Sequence, residues 1–218
     1  MKSLCIESSR QEPTLVIFDH STQKVFAIKN LKSSELKDGK KHSTTLILEI
    51  KNLLEQANIL KKDLDFIGTG LGPGSFIGTR VGIVTAKTLA YALEIPIVYY
   101  CSLELYDSNQ EGSFVILSDA KSKGLYAHFG KKEGSTITFD KEPSLYTPDE
   151  LLKKITKNTL LISPEADIAQ GKLPSALSLK VEQRSIDFAL WEKNVCKKTF
   201  LNPLVASKAS EPYTLRVS

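Results

Sequence analysis

Gly68-Thr-Gly-Leu-Gly-Pro-Gly-Ser-Phe-Ile-Gly78 is the stretch on which the reading of this sequence turns. A short apolar run before it predicts a strand at about 65–69, and residues 77–93 after it read as an unbroken helix. Strand, glycine turn and helix make one step of an α/β fold. The turn lacks the marks of two common nucleotide loops. A P-loop needs Lys and then Ser/Thr after its last glycine, to reach the β and γ phosphates, whereas Gly78 is followed by Thr79-Arg80. A dinucleotide fingerprint needs G-x-G-x-x-G, but counting from Gly68, Gly70 or Gly72 the sixth residue is Pro73, Ser75 or Ile77. Two readings stay open: a tight strand-to-helix turn with no ligand, or an anion held by backbone N–H groups at the helix start.

The helix itself carries a second pattern. Gly78, Gly82, Ala86 and Ala90 recur every four residues, a stripe of small side chains where another backbone can come close. Each glycine costs roughly 1 kcal/mol of helix propensity, so something packs there. Beside the stripe, Ile77, Val81, Val84 and Leu89 fit a core-facing row. Either the helix is buried between sheet and a neighbouring helix of this chain, or one face meets a partner subunit.

Outward from the loop, residues 2–6, 14–18 and 25–28 read as three strands with a turn at Asp19–Thr22, an antiparallel meander. Residues 31–42 are polar and Lys-rich, a loop. Leu46, Ile47, Ile50, Leu53, Leu54 and Ala57 predict a helix over 43–57, with Ser43 as N-cap. Pro96–Tyr100 is extended, and a short helical segment follows at 102–106. The polar stretch Asp107–Gly112 is the expected boundary, giving an N-terminal domain over 1–108 and a smaller one over 109–218. The second restarts with strands at 114–118, 125–129 and 136–139. Thr147-Pro148-Asp149-Glu150 announces a helix, and 160–163 is a further strand. Past residue 165 the periodicity weakens into an irregular tail. No repeat is visible in the sequence.

With 218 residues, 41% hydrophobic and 25% charged, the composition is that of a soluble globular chain. A net charge of +4, spread over both halves, is too even for a dedicated nucleic-acid binder. Three scattered cysteines (Cys5, Cys101, Cys196) make no C-x-x-C pair, so no zinc knuckle or disulfide framework is expected. The N-terminus has no signal-peptide core, and Lys87 and Glu94 interrupt the apolar stretches. A reduced, cytoplasmic setting is expected.

Gly72-Pro-Gly-Ser-Phe-Ile-Gly-Thr-Arg-Val-Gly82, continuing through Thr85-Ala-Lys87 and Leu89-Ala90, resembles the G-P-G-S-F-T-G-L-R-x-G…T-A-K-x-L-A signature of the TsaB (YeaZ) family. Ile95-Pro96 and Ser102-Leu103-Glu104 extend the dense match over 64–104. Looser echoes are His42-Ser43, Ser118-Asp-Ala-Lys-Ser-Lys-Gly-Leu-Tyr126 and Glu211-Pro-Tyr-Thr-Leu-Arg216. The chain departs from the family with Glu7-Ser8-Ser9 in place of D-T-S, with Ile77 and Thr79 in the loop, with its C-terminal tyrosine one place early, and over 165–205, where nothing matches. The resemblance implies an α/β actin/Hsp70/sugar-kinase (ASKHA)-like two-lobe fold with a reduced second lobe. It also implies a non-catalytic subunit that pairs with its paralogue TsaD, and with the ATPase TsaE, to install threonylcarbamoyl on the adenosine beside the anticodon of ANN-reading tRNAs. Pairing would use the two helices at 43–57 and 77–93, placing Leu46, Ile50, Gly78, Gly82, Thr85, Ala86, Leu89 and Ala90 in the interface. The same helices could build a homodimer.

The chemistry available to the chain alone is thin. ASKHA kinases hold Mg-ATP with an acid on the first phosphate hairpin, where Glu7 is the candidate, and Asp119 is the candidate for the second phosphate turn; both also read as ordinary strand-end or turn acids. The resemblance gives the chain no cofactor of its own, with ATP at an interface shared in the complex. The paralogue's two histidines four residues apart are not reproduced, because Leu46 stands four after His42, and no metal is expected. For nucleophilic hydrolysis, Ser75 or Cys101 would need a base that the sequence does not mark. Arg80, Lys87, Lys121 and Lys123 could touch tRNA, but they read equally as solvated positions, leaving tRNA mainly to the partners. The competing reading is an independent ASKHA-type small-molecule kinase or ATPase that uses the glycine loop.

Overall fold

The structure, a computed structural model, describes residues 1–32, 42–121, 124–174 and 179–196. Lys2–Glu7 (β1) runs through the middle of the first sheet, and five of its six residues are buried, as a strand covered on both faces requires. Its antiparallel neighbour is Thr14–Asp19 (β2), followed at the sheet edge by Lys24–Asn30 (β3). On the other side Phe66–Gly70 (β4) and then Ile97–Tyr100 (β5) run parallel to it, giving the order β3-β2-β1-β4-β5. Parallel steps need crossovers. His42–Gln56 (α1) stands on the way to β4, and Phe76–Leu93 (α2) joins β4 to β5. The core gathers Leu4, Ile6, Leu15 and Ile17 from the sheet with Leu46, Ile50 and Leu53 of α1 and Ala86 and Ala90 of α2.

The second unit repeats that plan. Gly112–Asp119 (β6) pairs antiparallel with Leu125–Glu133 (β7), which pairs with Thr136–Phe139 (β8) and with Ser144–Tyr146 (β9). Pro148–Leu152 (α3) opens with the expected cap: Thr147 Oγ1 accepts from the Glu150 amide at 3.3 Å, and Glu150 accepts from the Thr147 amide at 2.9 Å. Leu160–Ser163 (β10) and Val181–Gln183 (β11) then run parallel to β6, with Ala166–Lys172 (α4) between them, so the order is β11-β10-β6-β7-β8. A central strand with antiparallel neighbours on one side and parallel ones on the other occurs twice. The repeat exists in topology and not in sequence. Val115, Leu117, Leu125, Leu151, Leu161 and Ala169 form the separate core of this unit.

Two expectations are corrected. The units divide after Ser102, earlier than residue 108, because the expected linker is part of the second unit: Lys132 Nζ reaches Asp107 Oδ2 at 2.8 Å and the Ser108 carbonyl at 2.5 Å. Among the described residues, the region past 165 is not irregular, since α4, β11 and a further helix, Phe188–Cys196 (α5), lie within it. From Trp191 onward that helix belongs to the first unit, so 109–218 is not one lobe. Trp191 is fully buried, with edge contacts to Phe18 at 5.8 Å and Tyr100 at 5.6 Å. The next residue, Glu192, meets His20 Nδ1 at 3.2 Å, and His20 Nε2 meets Ser3 Oγ at 2.8 Å. The side chains of His42, Ser43 and Cys196, together with Lys123 and the Glu211–Arg216 echo, lie outside the described residues.

Candidate functional site

The glycine loop is filled by the chain's own β1–β2 hairpin. A Cβ on Gly74 would strike the Ser9 carbonyl, one on Gly78 the Ser8 carbonyl, and one on Gly82 the Ser8 hydroxyl; Gly70 is pressed by Glu7 in the same way. Glycines at four-residue steps therefore run along Glu7-Ser8-Ser9. Hydrogen bonds stitch the two together: the Ser75 amide donates to the Ser9 carbonyl at 2.7 Å, and Ser8 Oγ donates to the Gly78 carbonyl at 2.8 Å. The helix start is capped internally, with Ser75 Oγ accepting from the Gly78 amide at 3.2 Å. The Leu71 amide goes to the Tyr100 carbonyl at 2.9 Å and the Gly72 amide to Ser102 Oγ at 3.1 Å. Four amides of the loop, those of Leu71, Gly72, Ser75 and Gly78, are thus spent inside the chain, which leaves fewer donors for an anion.

Both nucleotide candidates are bonded to groups of the chain itself. Glu7 is 1% exposed and folds back on its own hairpin, its Oε1 accepting from the Ser9 amide at 2.7 Å. Its Oε2 is buried against Gly70 of β4 with no hydrogen-bond partner among the described residues. Asp119 closes the β6–β7 turn: Lys172 Nζ lies 2.5 Å from its Oδ1, the Lys121 amide 2.9 Å from the same oxygen, and Lys121 Nζ 3.1 Å from Oδ2. Two ammonium groups already pair with it.

Burial alone would raise the Asp119 pKa, but the hydrogen bonds from Lys172 and Lys121 outweigh that and hold it below the ordinary 3.8. A lowered carboxylate pKa contributes stability above the unfolded-state value, and that stability is lost as pH falls through the folded-state value. Asp119→Asn is accordingly expected to cost about 1–3 kcal/mol at pH 7, because it removes the charge with which Lys172 and Lys121 pair. Thermal melts of both proteins check this. The gap between them should persist to pH 4 and narrow only below the ordinary value of 3.8.

The small-residue stripe of α2 faces inward, and the expected core-facing row divides: Val81 and Leu89 pack against the core, whereas Ile77 and Val84 do not. Gly82, Thr85, Ala86 and Ala90 are buried against the sheet and hairpin, and Leu46 and Ile50 of α1 are 2% and 4% exposed within the core. Gly78 and Leu89 are half-buried. The six buried residues are committed inside the chain and cannot be reached by a partner, which corrects their assignment to an interface. The physical reason is spacing. Ser8 approaches α2 so closely at Gly78 and Gly82 that a Cβ there would clash.

Ile77, expected in the core, is 67% exposed and Val84 62%; Tyr91 matches them at 62%. These three stand seven residues apart, the step of a helix seam that packs against another helix. Phe76 is exposed at one end, with the Arg80 guanidinium 3.8 Å over its ring. On α1, Ile47 and Leu48 are exposed as well. Bulky apolar side chains concentrated on two packed helices are more than scattered surface residues. The heptad spacing of Ile77, Val84 and Tyr91 was the signal available in the sequence. No helix among the described residues is long and apolar enough to cross a membrane.

Comparison with known proteins agrees with this architecture. The family model for TsaD, tRNA N6-adenosine threonylcarbamoyltransferase, matches residues 35–192, more than half of the chain. The tRNA threonylcarbamoyladenosine biosynthesis protein TsaB of Bacillus subtilis is 29% identical over 147 residues, covering 65% of this chain and 64% of that protein. The match thus spans less than two thirds of that relative's length. The TsaB protein of Buchnera aphidicola from Schizaphis graminum is 27% identical over 177 residues, covering 77% of this chain and 82% of the relative. Among solved structures, YeaZ from Pseudomonas aeruginosa superposes with a TM-score of 0.70 at 14% identity, over 94% of this chain and 97% of that one. At that identity the superposition speaks for the fold, which is the ASKHA-like α/β arrangement. The chain belongs to the TsaD family of tRNA N6-adenosine threonylcarbamoyltransferases, and within it to the TsaB (YeaZ) members.

Proposed function

We propose that this chain is a non-catalytic subunit of tRNA threonylcarbamoyladenosine synthesis: it pairs with and activates TsaD, with the ATPase TsaE, for threonylcarbamoyl transfer to the adenosine next to the anticodon. The observation that carries the reading is the exposed apolar face of α1 and α2, with Ile77, Val84 and Tyr91 on one helix and Ile47 and Leu48 on the other. Partner helices packing on that face would remove it from water. Without the partner, a second copy of the chain can cover the same face.

Glu7 and Asp119, both turned to structural use, support the absence of chemistry of its own. ATP then belongs to the interface shared in the complex. The near-balanced charge supports tRNA being held mainly by the partners, in the cytoplasm. Reconstitution tests the reading. Purified TsaD, TsaE, tRNA, Mg-ATP and an activated threonylcarbamoyl donor should yield modified tRNA only when this chain is added, and equal yields without it would sink the proposal. The chain alone with Mg-ATP should show no turnover. Turnover that disappears in Glu7→Ala or Asp119→Ala would instead establish an independent kinase or ATPase.

A further inference from the structure

The charged residues of α2 are all of one sign. Between Phe76 and Leu93 the helix carries Arg80 and Lys87 and no acid. Both stand on the exposed row: Ile77, Arg80, Val84, Lys87 and Tyr91 follow one another at steps of three, four, three and four residues. That alternation is the seam one helix presents to another. Arg80 is already served, its guanidinium lying 3.8 Å over the Phe76 ring. Lys87 has neither an ion pair nor a hydrogen bond among the described residues.

Its surroundings withdraw Lys87 from water without offering a counter-charge. The residue is half-buried, and desolvation lowers its pKa below the ordinary 10.5. The acids of α1 are engaged elsewhere: Glu49 lies 3.6 Å from Lys29 Nζ and Glu55 3.7 Å from Lys51 Nζ. Glu94 caps the far end of α2, about 10 Å along the axis beyond Lys87. A helix laid on the row would strip the remaining water from the ammonium. A buried ammonium is tolerated only when paired, so the covering helix must bring a carboxylate. The α2 of a second copy brings Arg80 and Lys87 instead, and like charges oppose that pairing. A tRNA phosphate suits an open basic patch rather than one ammonium inside an apolar row.

We infer that Lys87 selects the partner: the helix that covers the α2 row carries an aspartate or glutamate opposite Lys87, and their ion pair fixes the register of the two helices. The inference rests on the proposed docking of the α1/α2 face and specifies the partner's chemistry at one position. A single polar contact in an apolar seam sets register, because a shift along the seam leaves both charges buried and unpaired. Covered in this way, the pair is screened little by salt.

The test measures binding of the purified full-length chain to purified TsaD paralogue, with melting curves as the check on folding. Lys87→Met keeps the apolar stem and removes the charge. It should weaken binding about thirty-fold, because the partner's carboxylate is then buried alone. Lys87→Glu should weaken binding by at least about a hundredfold, and one acid-to-lysine substitution on the paralogue should restore it. Arg80→Met takes the same charge from the same helix and should leave affinity within about threefold. Equal or tighter binding in Lys87→Met overturns the ion pair, since an unpaired ammonium in a dry seam only opposes association. Failure of every acid-to-lysine substitution to restore binding to Lys87→Glu overturns the carboxylate. Equal losses in Arg80→Met and Lys87→Met reduce the effect to overall charge and overturn the selection. Ile77→Asp separates the pair from the docking itself, because it spoils the apolar row and leaves Lys87 untouched. Loss of binding in Ile77→Asp with wild-type affinity in Lys87→Met overturns the pair and leaves the docking face standing. Unchanged binding in Ile77→Asp overturns the face. If Lys87→Met weakens self-association of this chain, or its binding to tRNA, while paralogue binding is unchanged, the counter-charge lies elsewhere and the partner assignment is overturned.

Discussion

Gly78→Ala should lower the melting temperature, although alanine is the better helix former by roughly 1 kcal/mol. The new methyl group would stand on the Ser8 carbonyl, and a carbonyl in the backbone cannot rotate aside as a side chain can. The Ser8 hydroxyl is bonded to the Gly78 carbonyl at 2.8 Å and the Ser9 carbonyl to the Ser75 amide at 2.7 Å, so moving the hairpin breaks both contacts. Overpacking of this kind costs about 1–3 kcal/mol before the hydrogen bonds are counted. Losing one of them adds about 1 kcal/mol. A net loss near 3 kcal/mol corresponds to a drop of roughly 6–12 °C for a chain of this size. Gly82→Ala should be milder, because the atom in its way is the Ser8 hydroxyl, which can turn at the cost of its hydrogen bond. Differential scanning calorimetry of the two variants reads the order. If Gly82→Ala is the more damaging, or either substitution stabilises, the hairpin is not what holds those positions to glycine.

That pair of glycines shows what could and could not be read from the sequence. The small-residue stripe announced close packing, and close packing is there. A one-dimensional pattern does not say which backbone approaches, because Ser8 and Gly78 are 70 residues apart and meet only through the pairing of β1 with β4. With the approaching backbone unidentified, the stripe reads as outward and the bulky row as inward; the stripe is in fact buried, while of the row Val81 and Leu89 pack against the core and Ile77 and Val84 face out. The strands of the first sheet and both long helices were legible because each has a clear period and sharp ends, such as Ser75 before α2. α4 spans seven residues and contains Gly171, and β11 has three residues; elements that short make too few turns or alternations to register. α5 escaped for a different reason. Its Trp191 is buried among Phe18 and Tyr100 of the first unit, a contact across most of the sequence that no local pattern encodes.

The candidate site was legible as a motif and not as a mechanism. The glycine signature pointed to the family, while the meaning of Glu7 and Asp119 depended on their surroundings. Glu7 sits at the end of the strand expected to carry the phosphate-binding acid, and only its burial and its bond to the Ser9 amide show that it serves the hairpin. Asp119 looked available until Lys172, 53 residues away, was found on its carboxylate.

Val84→Asp combined with Tyr91→Asp should abolish pairing with TsaD and leave the free chain folded. Both side chains are 62% exposed, so the substitutions remove little buried apolar area, and the melting temperature should stay within about 2 °C of the unaltered protein. In the complex the same positions would be covered by helices. Each carboxylate would then be desolvated without a partner, at several kcal/mol apiece, which carries the affinity down by at least about a hundredfold. Size-exclusion chromatography of the mixture and calorimetric titration measure the effect. Ionic strength separates this contact from others: an apolar face should bind almost equally at low and high salt, whereas binding through phosphates weakens steeply. Arg80 lies one helical turn before Val84 and covers the Phe76 ring, so Arg80→Ala, which uncovers an aromatic without adding charge, should retain pairing. Co-elution of the double variant with TsaD would show that the α2 face is not the contact. Loss of pairing in Arg80→Ala but not in the double variant would move the contact from the apolar row to the guanidinium.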